Sequence, residues 1–342
     1  MEISVSYLGM KLGSPLVVGS GPFDTLETAK ECQAAGAGML VMHSLFEEQF
    51  AAERAAEYWS MEHGAGPDEY EAMVQIDPAE AEKFGLAPEA YYERLALLKK
   101  TLTMPIAGSI NGTTPGNWVL YAQGMEEAGA DAIELNLYDP VMDTEISGAE
   151  IEGRMLEVVK LVRRAAQVPL AVKLSPFYSS VAHLARLFDN EGIDGIVLFN
   201  RFYQPDFDIR GEVKLSKKLN LSTSEELPQR LRWVAALYGR LRASLAITGG
   251  VHTGDDVIKS VLAGADVVQV VSAVIEHGPA RLTEIRTEME QWMGQHGLSG
   301  LDAIRGALSL QKVLNREHYD RVNYVGMLHD AAMEIVERAA KK

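Results

Sequence analysis

The sequence predicts an α/β fold, a (β/α)₈ TIM barrel, on two observations. Eight short, continuous apolar runs alternate with stretches of helical period, as parallel strands buried on both faces alternate with covering helices. Several helical stretches close on a glycine just before the next run. Glycine suits a helix C-terminus because it takes left-handed dihedrals without a Cβ clash.

The strands are expected at Pro15–Ser20, Gly38–Ser44, Met104–Asn111, Asp131–Leu137, Pro169–Ser175, Gly192–Phe199, Ser244–Thr248 and Ala265–Val271. Helical periods fall at Thr25–Ala35, Pro115–Ala128, Glu150–Ala166, Val181–Glu191, Leu227–Gly239 and Gly254–Ala263. The closing glycines are Gly36, Gly129, Gly192 and Gly264. Eight alternations favour a closed barrel, and an open doubly wound sheet is the alternative, since pattern does not display closure. Two segments break the rhythm: 45–88, acidic and partly helical, and 201–226. Both follow strands (the second and sixth) on the side where barrels build active sites, so they read as lids or pocket walls, with surface decoration as the bland alternative. Beyond Gly297, residues 297–342 read as a helical extension, with helices at Leu301–Leu314 and Gly326–Ala339 covering the barrel or an oligomer interface. All 342 residues are expected to form a single domain.

Composition narrows the function. A formal net charge of −16 opposes nucleic-acid binding. Small anions remain possible ligands, because main-chain amides bind them locally. No apolar run reaches the ~20 residues of a membrane helix, and the N-terminus lacks a signal-peptide pattern, which predicts a cytoplasmic protein. Cys32 is the only cysteine. One thiol cannot hold an iron–sulfur cluster, which takes about four, so electrons leaving this chain need a separate redox protein or a diffusible acceptor. No metal site is expected.

Polar residues at the ends of the apolar runs carry the chemistry. Thr248-Gly249-Gly250 ends the seventh run and Val271-Ser272 the eighth, where barrels often bind phosphate through backbone amides. Two ordinary tight turns would look the same. Asn111, Asn136, Lys173 and Asn200 end the third to sixth runs, and such ends converge on one cavity. The asparagines read equally as satisfied core amides. Lys173 sits in the apolar frame LAVKLSPF, where a charge needs an anionic partner. A flavin offers one, because negative charge develops at its N1 and C2 carbonyl on reduction; an ion pair with Glu134 offers another.

The segments LGSPLVVGSGPF, IAGSING, IELNLYDP, LAVKLSPF and ITGGVHTGDDV, with Ser272-Ala273 and His277-Gly278-Pro279, resemble the successive motifs of the dihydroorotate dehydrogenase family. They run in the same order from Tyr7 to about Trp292. SLFEEQF and VLFNRFYQPD are similar to its dihydroorotate dehydrogenase-like branch.

The resemblance implies an FMN-binding barrel in pyrimidine biosynthesis that oxidises a CH–CH bond, and a homodimer. It implies that Gly19, Ser20, Gly21 and Ser44 line the flavin and that Asn111, Asn136 and Lys173 bond its edge or the substrate. Asn200 would face substrate, and Gly249, Gly250, Val271 and Ser272 would hold the FMN phosphate. Three departures bear on substrate. His43 stands where the family has a lysine, Asp139 where it has a catalytic cysteine or serine, and Val141 where it has a substrate-binding asparagine. Acidic sequence at Glu62–Asp77 replaces the loop that grips orotate.

Asp139 is therefore the first candidate base and His43 the second; a turn aspartate before Pro140 is the bland reading of Asp139. Three functions follow: a flavin oxidoreductase acting on dihydroorotate or a related cyclic amide, the same flavoprotein with another substrate or redox partner, or a flavin-free barrel lyase or isomerase gripping a phosphorylated substrate at Gly249–Gly250.

Overall fold

The computed structural model describes residues 1–46, 88–112, 115–138, 143–202, 204, 206–209, 214–216 and 220–340. Within them eight parallel strands close into a barrel: β3 (Leu16–Val18), β4 (Met39–Phe46), β5 (Ile106–Asn111), β6 (Ala132–Leu137), β7 (Leu170–Leu174), β8 (Gly195–Leu198), β11 (Ser244–Thr248) and β12 (Val267–Val270). They are neighbours in that order, and β12 returns to β3. Every predicted strand is present, and closure excludes the open sheet. Strands β5, β6 and β7 are buried along their whole length, because helices cover one face while the barrel interior covers the other.

The helices between strands are α1 (Leu26–Ala34), α2 (Pro88–Thr101), α3 (Pro115–Glu127), α4 (Gly148–Ala165), α5 (Val181–Asn190), α6 (Leu227–Leu237), α7 (Gly254–Ala263) and α8 (Ser272–His277). Side chains fix several starts. Thr25 caps α1, and reciprocal bonds of Ser147 with Glu150 and Thr253 with Asp256 cap α4 and α7, satisfying amides that have no partner within the helix. The predicted closing glycines all have positive φ, from 81° at Gly192 to 119° at Gly264.

Three of those glycines begin a recurrent device. Asp131, Asp194 and Asp266, each two residues later, accept an amide at the start of the preceding strand: the first at Ile106 and Leu170, the second at Leu245. Each also meets a cation: Lys99, Arg163 or Arg305. A carboxylate at the foot of one strand thus fixes the start of its neighbour.

A hairpin of β1 (Val5–Tyr7) and β2 (Met10–Leu12) precedes the barrel. Its turn residue Leu8 donates its amide to the Ser244 hydroxyl at 3.2 Å and lies against Gly195, at the feet of β11 and β8. Fully buried Tyr7 completes this closure of the amino end.

After β8, short strands β9 (Asp206–Asp208) and β10 (Lys214–Ser216) pair antiparallel, inside the second predicted insertion. Most of the first insertion lies outside the described residues. The C-terminal expectation needs correction. Leu301–Leu314 is not an α-helix: it holds one 3₁₀ turn at Leu301–Ala303 and a run of turns, whose amides bond to the body at Val261, Leu262 and Ala235. After α9 (Arg281–Gln295) the last helix, α10 (Arg316–Ala340), is longer than predicted.

Candidate active site

The carboxyl ends of β3, β4, β6 and β7 bring four predicted polar residues together: Ser20, Ser44, Asn136 and Lys173. Ser44 is at the centre. Its hydroxyl lies 2.8 Å from that of Ser109 and 3.3 Å from that of Ser20, and it accepts the Asn136 side-chain amide at 3.3 Å. Strand register explains the meeting: Ser44 pairs with Ser109 on β5, and Asn136 with Lys173 on β7. Buried Ser109 was not foreseen, although it sits beside Asn111 in the same motif.

The Asn136 side-chain oxygen is buried and has no hydrogen-bond partner. Such an atom costs about 1–3 kcal/mol unless a donor reaches it. Asn111 is buried at the end of β5. Asn200 is also buried, and its amide donates to the Leu174 carbonyl at 2.7 Å, tying the end of β8 to β7.

Lys173 resolves toward its ion-pair reading. Its ammonium lies 3.2 Å from Glu134 Oε1, and both side chains are almost fully buried. The other Glu134 oxygen accepts the Gln269 side-chain amide at 2.5 Å. Gln269, on β12, is buried with its own side-chain oxygen unpartnered. The pair leaves Lys173 beside Asn136 on the same rim, so a second anionic partner there is compatible with the first.

His43, within β4 where its register with β5 shifts, is a quarter exposed, and its Nδ1 lies 2.5 Å from buried Asp24. Arg94 approaches the other Asp24 oxygen at 3.8 Å. The His43 ring meets Tyr91 edge-on at 5.2 Å. Tyr91 is fully buried, its hydroxyl accepts the Ser109 amide at 3.0 Å, and burial raises its phenol far above the ordinary value. A carboxylate on Nδ1 orients an imidazole and leaves Nε2 as its other working atom. Neither Asp24 nor Tyr91 was identified from sequence; chain separation hid both.

On the other side, Gly249 and Gly250 have φ of +82° and +83°. A Cβ at Gly250 would come within 2.7 Å of the Leu227 amide nitrogen, so both dihedral and space require glycine there. The Gly250 amide donates to Ser222 Oγ at 3.1 Å, and the Ser222 hydroxyl and amide donate to Ser272 Oγ at 2.9 and 3.0 Å. Ser222 thus joins the two predicted phosphate elements through an oxygen-binding amide. It lies in the segment after β8 and was not foreseen. Val271 caps α8. A Cβ at Gly19 would meet its side chain at 2.7 Å, so β3 and β12 close tightly there. Gly21 packs against Phe23.

This donor set fits FMN. The cluster of Ser20, Ser44, Asn136 and Lys173 offers donors for ring oxygens and N1, and the unpartnered Asn136 oxygen suits a ring N–H. The Gly250 amide, which donates to Ser222 Oγ, and the Ser272 hydroxyl would hold a phosphate whose oxygens replaced the Ser222 hydroxyl. Residues 139–142, with Asp139 and Val141, lie outside the described residues, as does Glu62–Asp77.

The model of the family described as dihydroorotate dehydrogenase matches residues 66–293. The chain is 28% identical over 316 residues to a putative dihydroorotate dehydrogenase A (fumarate) of Aeropyrum pernix, covering 89% of this chain and 97% of that protein. It is 29% identical over 313 residues to the catalytic subunit of dihydroorotate dehydrogenase B (NAD(+)) of Pyrococcus abyssi, covering 89% and 98%. The corresponding subunit of Methanosarcina mazei is 27% identical over 312 residues, covering 87% and 92%. With two-thirds of its length matched by the family model and the closed barrel in place, this chain belongs to the dihydroorotate dehydrogenase family.

Proposed function

We propose that this chain is an FMN-dependent oxidoreductase that takes a hydride from a CH–CH bond of dihydroorotate or a related cyclic amide. The supporting observation is the convergence of Ser44, Asn136 and Lys173 on one rim of the barrel, with the unpartnered Asn136 oxygen among them. Bound FMN supplies a two-electron acceptor at flavin N5.

The chain's own residues do the rest. Ser20, Ser44, Asn111 and Asn136 bind and orient the ring edge, and Gly19 and Gly21 let the backbone approach it. Lys173 answers negative charge on the ring. Gly249, Gly250, Val271 and Ser272 hold the phosphate. Asn200 faces the substrate, within a single barrel domain. Oxidation also removes a proton from substrate carbon. Asp139 is the first candidate to take it, and His43, held at Nδ1 by Asp24, is the second.

The same flavoprotein with another substrate or redox partner is the second reading. It is favoured by His43, Asp139 and Val141 in place of the family's lysine, cysteine or serine, and asparagine, and by the acidic Glu62–Asp77, which would repel a substrate carboxylate. The two electrons then pass to a separate redox protein or a small oxidant, because Cys32 alone cannot build a relay. No helix among the described residues is long and apolar enough to cross a membrane, and a cytoplasmic location accords with that.

The test is anaerobic. Purified protein should be yellow with the spectrum of oxidised FMN, and dihydroorotate should bleach it. A yellow protein that dihydroorotate and related cyclic amides leave unbleached, but another reductant bleaches, selects the second reading. A colourless protein that refuses added FMN overturns both and leaves the flavin-free barrel.

A further inference from the structure

We infer that Arg230 of α6 supplies the positive charge by which the Gly249–Gly250 loop selects a phosphorylated flavin over an unphosphorylated one. Arg230 lies behind that loop and is 3% exposed. Its Nε donates to the Thr248 carbonyl at 3.1 Å and its Nη1 to the Glu226 carbonyl at 2.8 Å. A Cβ at Gly249 would come within 2.9 Å of Arg230 Nη2, so glycine lets the guanidinium lie against the loop. Standard bond lengths then put Nη2 within about 7 Å of the Gly250 amide nitrogen, the donor that faces Ser222 Oγ.

The charges around Arg230 do not balance. The Glu226 carboxylate lies 3.5 Å from Nη2, but both of its oxygens also accept from Arg201 at 2.7 Å. Two cations therefore share one anion, and the closer pairing belongs to Arg201. Asp256, the buried acid at the start of α7, is engaged elsewhere. It accepts the amides of His252 and Thr253 and the Ser224 hydroxyl, and lies 3.9 Å from Lys259. Burial pulls the Arg230 guanidinium below its ordinary pKa, against the opposing effect of Glu226. A buried charge matched this weakly is costly until an anion reaches it.

A phosphomonoester is the anion that fits. The Gly250 amide can bond an oxygen but carries no net charge, whereas a phosphomonoester carries about two negative charges near neutral pH. A cation buried behind the loop attracts that charge across a low-dielectric wall without touching it. Riboflavin, the same ring with a hydroxyl in place of the phosphate, gains nothing from the cation. Arg230 thus discriminates by charge, independently of the ring contacts at Ser44, Asn136 and Lys173.

This inference rests on the flavin reading, and one set of titrations keeps their failures apart. The full chain, freed of flavin, is titrated with FMN and with riboflavin, and quenching of flavin fluorescence gives both dissociation constants. Arg230→Gln keeps a donor without the charge; it should raise the FMN constant at least ~10-fold and move the riboflavin constant less than ~3-fold. Arg230→Lys returns the charge and should recover most of the FMN affinity. Glu226→Gln removes the shared anion and should tighten FMN at least ~3-fold, which keeps the test decisive if R230Q does not fold. If riboflavin binds too weakly to titrate, the lysine and Glu226 variants decide alone. An FMN constant indifferent to R230Q, equal weakening of both flavins, no recovery in R230K or no tightening in E226Q overturns the inference and leaves the flavin reading standing. A wild-type chain that binds neither flavin ends both.

Discussion

On adjacent strands β6 and β7, the Glu134 carboxylate and the Lys173 ammonium lie 3.2 Å apart, sealed inside the barrel. A buried pair is weak evidence for stability as a pair, but removing one member strands a charge. Lys173→Met should therefore destabilise the protein by about 3–5 kcal/mol, and adding Glu134→Gln should recover much of that. Urea unfolding of both variants measures it. A single substitution costing under ~1 kcal/mol would mean that the carboxylate is neutralised some other way.

Proton removal separates the two candidate bases. Asp139→Asn should slow flavin reduction at least ~100-fold with FMN still bound, as read by anaerobic stopped-flow absorbance. If His43 is the base instead, Asp139→Asn leaves the rate unchanged, whereas His43→Ala and Asp24→Asn both lower it.

Backbone shape at Gly250 should matter more than its chemistry. Gly250→Ala meets a positive φ and a 2.7 Å approach to the Leu227 nitrogen. It should cost about 1–3 kcal/mol of stability and weaken FMN retention at least tenfold. Equilibrium dialysis against FMN checks the second effect. Undiminished affinity would move the phosphate elsewhere.

The foot of the barrel should behave oppositely. Asp194 accepts the Leu170 amide at 2.9 Å and meets Arg163 at 3.2 Å, far from the carboxyl ends. Asp194→Ala should lose about 1–3 kcal/mol and leave FMN affinity intact, since this end of a barrel serves stability.

Cys32 is fully buried in α1, and burial pushes its thiol up to about 11, with Glu31 adding to the shift. Thiol reagents should label it only on unfolding. Because the folded value is the higher one, this thiol favours the fold below the unfolded pKa. That contribution fades as pH climbs from about 9 toward 11. Cys32→Ala should remove that part of the alkaline loss in urea midpoint; rapid labelling of the native protein would contradict the burial.

Local rules carried most of the architecture. Apolar runs located all eight barrel strands, and the glycines before four of them took the positive φ that a helix stop requires. The C-terminal helix at Leu301–Leu314 failed for an equally physical reason: its amides find acceptors on α6 and α7, a tertiary alternative that periodicity does not register.

What the sequence determined by itself was the alternation that makes a barrel, the polar ends of its strands, and a motif order specific enough to identify the family. Closure, the carboxylate behind Lys173, the Asp24 behind His43 and the hydroxyl of Ser222 between Gly250 and Ser272 were decided only in three dimensions. Each joins residues about 20 or more positions apart, and a chain's period describes one element's faces but not which distant side chain will meet them.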